Sequence, residues 1–429
     1  MAISLCSYGG RMFKFVHCAD LHLDSPLRGL AAKEDAPVDM IRSATRRALN
    51  NLVNLAISEK VRFVVIAGDL FDGDWPDYST GLFFNGLMGR LNDAGIDVYI
   101  VRGNHDAASN ITRHLVWPPN VHEFSTKHPQ TFVIDDLAVA LHGQGFSRRE
   151  TVENLVLQYP DAHPGYVNIG VLHTSLEGHE GHETYAPCSL SDLIHKHYDY
   201  WALGHVHKRQ VVRESDPCIV YPGNLQGRHI RETGEKGCTL VTVDNGFFTL
   251  EHRSLDVLRW YLAEVDLSEA NNQETFVERV VTTFQQYLEE NQGSPLALRL
   301  HFLGETSLHG RLLAESEYFY REIENAVAMT APGQIWIEKV KFMTSSPARS
   351  GQWSQQMDAL ARLANSMQEV EEDEEFLEEF LRHVERIQTR LKTYVNSEGA
   401  MVIHSLDDVK GLIEEAQEVL LTMISQGGI

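Results

Sequence analysis

Five short segments of this chain carry residue types that hold divalent cations. They are Asp20-Leu-His22, Gly68-Asp69-Leu-Phe-Asp72, Gly103-Asn104-His105-Asp106, His173, and Trp201-Ala-Leu-Gly-His205-Val-His207. Each follows or closes a hydrophobic run. Asp20, His22 and His207 make a donor set for one cation, and Asn104, His173 and His205 a set for a second. Asp69 is the expected bridge, since a carboxylate has two oxygens for two ions. Asp-x-His and His-x-His on extended backbone put both side chains on one side. Glycines 68, 103 and 204 remove Cβ atoms where the chain must turn beside the ions. Oxygen and nitrogen donors without thiolate suit Mn²⁺, with Fe²⁺, Zn²⁺ or Mg²⁺ as alternatives.

Two cations about 3.5–4 Å apart stabilise the entering and leaving oxygens of an in-line displacement on phosphorus and acidify a shared water. The expected chemistry is therefore phosphoester hydrolysis. His105 is not needed as a ligand, and is the candidate to protonate the leaving oxygen or to stabilise its developing charge. Asp72 is the candidate to orient His105. Arg102, Lys208, Arg209, Arg228, His229 and Arg231 flank the motifs and are candidates for phosphate contact. His179 and His182 read as loop residues near the mouth of the site. With 21 histidines in the chain, no single one carries the inference. The recurrence of donors at the ends of successive hydrophobic runs does.

Those runs imply the scaffold. Residues 13–19, 61–67 and 97–101 read as strands, separated by helices from Pro37 to about Lys60 and from Thr80 to Leu91. This alternation predicts βαβ units, and ligands in such sheets bind at the C-terminal ends of the strands. Beyond residue 120 the pattern predicts a hairpin across Asp135-Asp136 and a helix from Ser147 to Gln158. Further strands deliver His173 and the His205/His207 pair, and a second hairpin turns at Asn245-Gly246. The expected fold is α/β, a two-layer β-sandwich core flanked by helices over residues 12–255. A small α/β capping domain follows over 256–343, with a helix from about Leu312 to Val327. Residues around Thr344–Gly351 read as a linker. A helical tail occupies 352–429, with one apolar stripe from Phe376 to Leu391 and another from Leu406 to Met423.

Composition sets limits. The 429 residues are 43% hydrophobic, enough for a large core. Sixty acidic residues against 37 basic give a net charge of −23, of which the tail contributes −10. Such a chain repels polyanions at long range, so a nucleic-acid substrate requires a local basic groove. The five scattered cysteines form no Cys-x-x-Cys pair and read as reduced thiols of a cytoplasmic protein. No run approaches a membrane span, and the N-terminus lacks a signal pattern; residues before Met12 read as a short leader.

At its motifs the sequence resembles the calcineurin-like metallophosphoesterase superfamily, over roughly the first 250 residues. Val16-His-Cys-Ala-Asp-Leu-His-Leu-Asp24, Ala67-Gly-Asp-Leu-Phe-Asp72 and the run Tyr221 to Glu232 are similar to the SbcD-like DNA repair exonucleases, particularly their YhaO-type branch. The resemblance implies a Mn²⁺-dependent nuclease with DNA as substrate. It also implies an ATPase partner with coiled-coil arms, gripped through the C-terminal helices. Packing of those helices on the protein's own body, or homodimerisation, is the alternative. A phosphatase or phosphodiesterase for small phosphoesters is the alternative function.

Overall fold

The structure is a computed structural model that describes residues 12–25, 27, 38–72, 79–108, 116–176, 185–347, 374–391, 405–406, 408–413 and 416. The leader, Pro37, His179, His182, the second half of the linker and the end of the second tail stripe lie outside them. The chain divides into two compact units, Met1–Leu262 with Gly293–Leu298, and Ala263–Gln292 with Arg299–Ile429.

The first unit is a sandwich of two six-stranded sheets. One is built on β1 (Phe13–Cys18), β2 (Phe63–Ala67), β3 (Asp97–Val101) and β4 (Val121–Glu123), all parallel. It is extended by the later hairpin β11 (Gly237–Asp244) and β12 (Phe247–Ser254) in the order β12-β11-β1-β2-β3-β4. The other follows the order β5-β6-β7-β8-β10-β9. Its strands are β5 (Gln130–Ile134), β6 (Val139–Gly143), β7 (Val167–His173), β8 (Tyr200–Gly204), β9 (Gln210–Arg213) and β10 (Cys218–Tyr221). Here β6, β7, β8 and β10 are parallel, with antiparallel strands at both edges.

The side-chain period of two sorts each strand into two cores. Phe15, Phe63, Val65, Tyr99 and Val101 face Leu141, Ile169, Val171, Tyr200 and Ala202 between the sheets. Val16, Val64, Ile66, Val98 and Ile100 point outward, against α1 (Val38–Ser58) and α2 (Ser79–Asp93). On the far side Leu172, Trp201 and Ile219 pack with Tyr159, Tyr198 and Leu193 of α4 (Leu190–His195). Gly170 is required in β7 because any Cβ there would enter the Trp201 ring.

His17 sits in the inter-sheet region, fully buried, its Nδ1 2.9 Å from the Tyr200 hydroxyl and its Nε2 3.2 Å from the Leu203 carbonyl. A carbonyl only accepts, so Nε2 carries the proton and Nδ1 accepts from Tyr200. Burial pushes this imidazole down to about 3, against the smaller opposing effect of the Leu203 carbonyl. Between that value and the ordinary histidine range the unfolded chain binds the extra proton. Stability is therefore complete above about pH 6.5 and falls on acidification toward pH 3, by about 2 kcal/mol near pH 5. His17→Gln can keep both hydrogen bonds without titrating. Thermal melting of the variant should drop less between neutral pH and about pH 5 than that of the wild type.

A three-stranded sheet follows, of β13 (Arg259–Asp266), β14 (Leu296–Glu305) and β15 (Ile335–Ser345), with α5 (Gln273–Glu290), α6 (His309–Ala314) and α7 (Ser316–Thr330); unit boundaries fall within β13 and β14. Asn272 and Thr275 form a reciprocal cap at the start of α5. Phe276, Phe302 and Phe319 form its aromatic core. The single helix expected from Leu312 to Val327 is two helices, because Glu315 leaves the helical region at φ −114° and ψ 32°.

One further expectation is corrected. Of the helix expected over Ser147–Gln158, only Leu155–Gln158 forms, as a 3₁₀ turn capped by the Asn154 side chain. Thr151 turns its hydroxyl onto the Arg148 carbonyl, and its own carbonyl accepts from the Ala186 N–H, so a polar side chain and a loop distant in sequence take the bonds a helix needs. In the tail, described residues of α8 (Glu374–Leu391) pack against helical residues near 405–413. Leu377 and Val409 are fully buried, with Leu381, Val384, Leu406, Leu412 and Ile413 around them. No described helix is long and apolar enough to cross a membrane.

Candidate metal centre

The donors sit on loops leaving the C-terminal ends of strands from both sheets. Asp20 and His22 follow β1, Asp69 follows β2, and Asn104 opens the short α3 (Asn104–Ala108) after β3. His173 ends β7, and His205 and His207 follow β8. Hydrogen bonds lace the loops together. Asp20 N–H donates to the Gly68 carbonyl and His22 N–H to that of Asp69, both at 3.0 Å. The His205 N–H donates to both Asp20 carboxylate oxygens at 3.1 Å, joining the two sheets.

The loops are not extended, contrary to the sequence expectation. Asp20, His22, Asp69 and His205 have φ of 51°, 41°, 50° and 100°. Left-handed backbone at four non-glycine positions costs on the order of 1–3 kcal/mol each and persists only where the surroundings over-determine it. The glycines behave as expected: a Cβ on Gly68 would strike the His173 ring, on Gly103 the Asp69 carboxylate, and on Gly204 the Ala67 carbonyl.

Ligand-type atoms of Asp20, His22 and His207 lie within 4.8 Å of one another, as do those of Asp20, Asp69 and His173, and of His22, Asp72 and His105. His22 Nε2 faces His207 Nε2 at 3.1 Å. Asp69 Oδ2 stands 3.4 Å from His173 Nε2 and 3.8 Å from His22 Nε2, between the two groups. Asn104 Oδ1 is 3.0 Å from His173 Nε2, and the His205 ring meets that of His173 edge-on at 5.2 Å. His105 Nδ1 lies 2.8 Å from Asp72 Oδ1, and Ser25 donates to Asp72 Oδ2 at 2.8 Å.

Residues 13–209 match the model of the calcineurin-like phosphoesterases, and residues 260–345 that of the middle domain of metallophosphoesterase YhaO. The chain is 39% identical over 294 residues to an uncharacterized metallophosphoesterase YhaO of Bacillus subtilis (strain 168), covering 68% of this chain and 71% of that protein. This chain belongs to the calcineurin-like metallophosphoesterases, YhaO type. Among solved structures, a dimetal phosphatase from Danio rerio is 12% identical, covering 57% of this chain and 96% of its own, at a TM-score of 0.34. GAP50, the anchor in the inner membrane complex of Plasmodium, is 14% identical, covering 57% and 85%, also at 0.34.

The centre of this metallophosphoesterase fits the divalent ions its family uses. Two nitrogens on one ion, each about 2.1 Å from it, stand roughly 3 Å apart, as the His22 and His207 Nε2 atoms do. The buried carboxylates also call for positive charge. Burial alone would lower the His173 imidazole, but Asp69 and Asp20 beside it push it up to about 9. Burial alone would raise the Asp69 carboxyl, but His173 and His22 hold it well below the usual range.

Two residues of the site had no role in the sequence reading. Asp106 is fully buried and accepts from the backbone N–H groups of Leu70, Phe71 and Gly103 at 3.0–3.2 Å, tying the Asp69 loop to the Asn104 loop. Burial, reinforced by Asp69, pushes its carboxyl up to about 7 against those three donors. Its place beside His105 in the motif was the available signal. Glu232 accepts from His207 Nδ1 at 2.7 Å. Its sequence signals were its place at the end of the Tyr221–Glu232 run and Arg228 four residues earlier.

The basic residues divide. Lys208, Arg228, His229 and Arg231 line the cavity over the centre, together with Arg149 and Lys236. Arg102 does not line it: its guanidinium is held by both Glu123 oxygens, at 2.5 and 3.1 Å. Arg209 is likewise not among the lining residues.

Proposed function

We propose that this metallophosphoesterase is a Mn²⁺-dependent nuclease that hydrolyses phosphodiester bonds at DNA ends, in repair or end processing. The observation that supports it is the cavity of about 600 Å³ above the candidate centre. Arg149, Lys208, Arg228, Arg231 and Lys236 line it, with Asp69, Asn104, His105, His205 and His207. In a chain of net charge −23 this is a local cationic groove, able to receive the phosphates flanking a scissile bond.

Asp20, His22 and His207 would hold one cation, Asn104, His173 and His205 the other, and Asp69 both. When bound, the cations supply Lewis-acid stabilisation of the phosphoryl group and a nucleophile at neutral pH. The chain's own residues do the rest. Asp72 fixes the His105 ring through Nδ1, so that Nε2 can give its proton to the leaving oxygen. Lys208 and Arg231 neutralise phosphate charge on either side.

The test is the full chain with Mn²⁺ on end-labelled single- and double-stranded DNA, beside bis-p-nitrophenyl phosphate and p-nitrophenyl phosphate. Shortening of DNA from its ends, with turnover of the diester, is the expected result. Turnover of the monoester with DNA intact would place the protein among phosphatases for small molecules. The ATPase partner and the cytoplasmic setting are proposals resting on the resemblance and the cysteine pattern alone. The described tail helices spend much of their apolar stripes on each other.

A further inference from the structure

Glu232 donates nothing to the ligand set, yet it is the most heavily bonded carboxylate behind it. It is 6% exposed. Its Oε1 accepts from His207 Nδ1 at 2.7 Å and from Arg228 Nη2 at 3.0 Å. Its Oε2 accepts from Asn224 Nδ2 at 3.0 Å and from the Arg228 backbone N–H at 2.7 Å. With four donors around it, the buried charge is fully satisfied.

An ionised carboxylate only accepts, so the proton shared with His207 sits on Nδ1. The ring then presents its Nε2 lone pair toward His22 and Asp20. Arg228 carries the connection onward. Its Nη1 lies 3.4 Å from Ser25 Oγ and 3.8 Å from Asp72 Oδ2, and Asp72 holds His105.

We propose that Glu232 is a positioning residue that sets both sides of the centre at once. It fixes the tautomer and direction of His207, and it anchors Arg228 beside the Asp72–His105 pair. The inference rests on the cation-binding reading above and deepens it. A carboxylate behind a ligating imidazole raises the basicity of the ring and holds its orientation. Without that charge, Arg228 loses its main counterion, and Asp72 is the nearest carboxylate it can turn to. Asp72 would then be drawn away from His105.

The experiment uses the metal-free full chain. Calorimetric titration with MnCl₂ compares wild type with Glu232→Gln. Long-range ¹H–¹⁵N spectra of the wild-type imidazoles, in mildly alkaline buffer, report tautomers, with His207 assigned by its loss in His207→Gln. Two Mn²⁺ in the wild type, one of them bound roughly 10- to 100-fold more weakly in Glu232→Gln, is the expected result. His207 should carry its proton on Nδ1. Unchanged affinity for both ions in the variant overturns the proposal, as does a wild-type His207 protonated on Nε2. The tautomer decides even if Glu232→Gln does not fold. A wild-type chain that binds no Mn²⁺ overturns the cation reading instead, and the tautomer then judges the hold of Glu232 on His207 separately.

Discussion

Asp69→Ala should abolish cation binding and hydrolysis together. Oδ2 of this carboxylate stands between His173 and His22, and Oδ1 accepts the His105 backbone N–H at 3.0 Å. Asp20 also reaches both sides, sharing one cluster with His22 and His207 and another with Asp69 and His173, but it does so beside Asp69 rather than in its place. Removing it leaves Asp20 as the one described carboxylate clustered with all three of His22, His173 and His207. An ion entering there meets fewer oxygens and more repulsion. Loss of about a thousand-fold or more in kcat corresponds to about 4 kcal/mol of barrier, the scale of a displaced metal centre. Titration with Mn²⁺ and assay of the diester on the same preparation check it. Retention of two ions with near wild-type rate would remove Asp69 from the centre.

His105→Ala should behave differently, keeping both ions while losing rate. Its backbone N–H to Asp69 survives the substitution, so the loop that carries Asn104 keeps its anchor. What is lost is the imidazole on Asp72. Burial works to lower that ring's pKa, but the Asp72 hydrogen bond and the Asp69 charge outweigh it and raise the group above its ordinary value. A raised pKa extends the range of pH over which the proton is available, and activity that depends on this proton fades as pH rises through it. A general acid contributes roughly 10²- to 10⁴-fold. The loss should be large for DNA, whose leaving oxygen is a poor one, and small for p-nitrophenyl esters, whose phenolate leaves without a proton. Comparing kcat for the two substrates at several pH values checks this. Equal loss on both, or a missing ion, would make His105 part of the ligand framework.

The scaffold was legible because hydrophobic runs and donor residues coincided. β1, β2 and β3 each end where a motif begins, and period-two burial followed from the Phe15/Val16 and Val64/Val65 alternation. The hairpin at Asn245-Gly246 formed as its turn chemistry demands, with φ of 50° and 82°. Less legible was whatever depends on partners distant in sequence. Arg102 looked like a phosphate contact until Glu123 claimed it. Residues 147–154 carry helix-compatible composition, but Thr151 and Asn154 bond locally and Ala186 takes a carbonyl. The tail stripes were legible as apolar faces, but a period does not show what covers them. The left-handed backbone at Asp20, His22 and Asp69 left only a weak signal, since Asp and His adopt it more readily than most residues but only as single positions that the surrounding structure must hold.

The division of donors between the sheets has a consequence for how this protein holds itself together. Asp20, His22, Asp69 and Asn104 come from one layer of the sandwich, and His173, His205 and His207 from the other. Neither layer alone owns a usable set. Occupancy is thus thermodynamically inseparable from the docking of the two layers, and whatever free energy an ion releases on binding is added to the layer interface. An ion bound there would work as a clasp, so that the candidate centre and the rim of the sandwich would close, or open, as one.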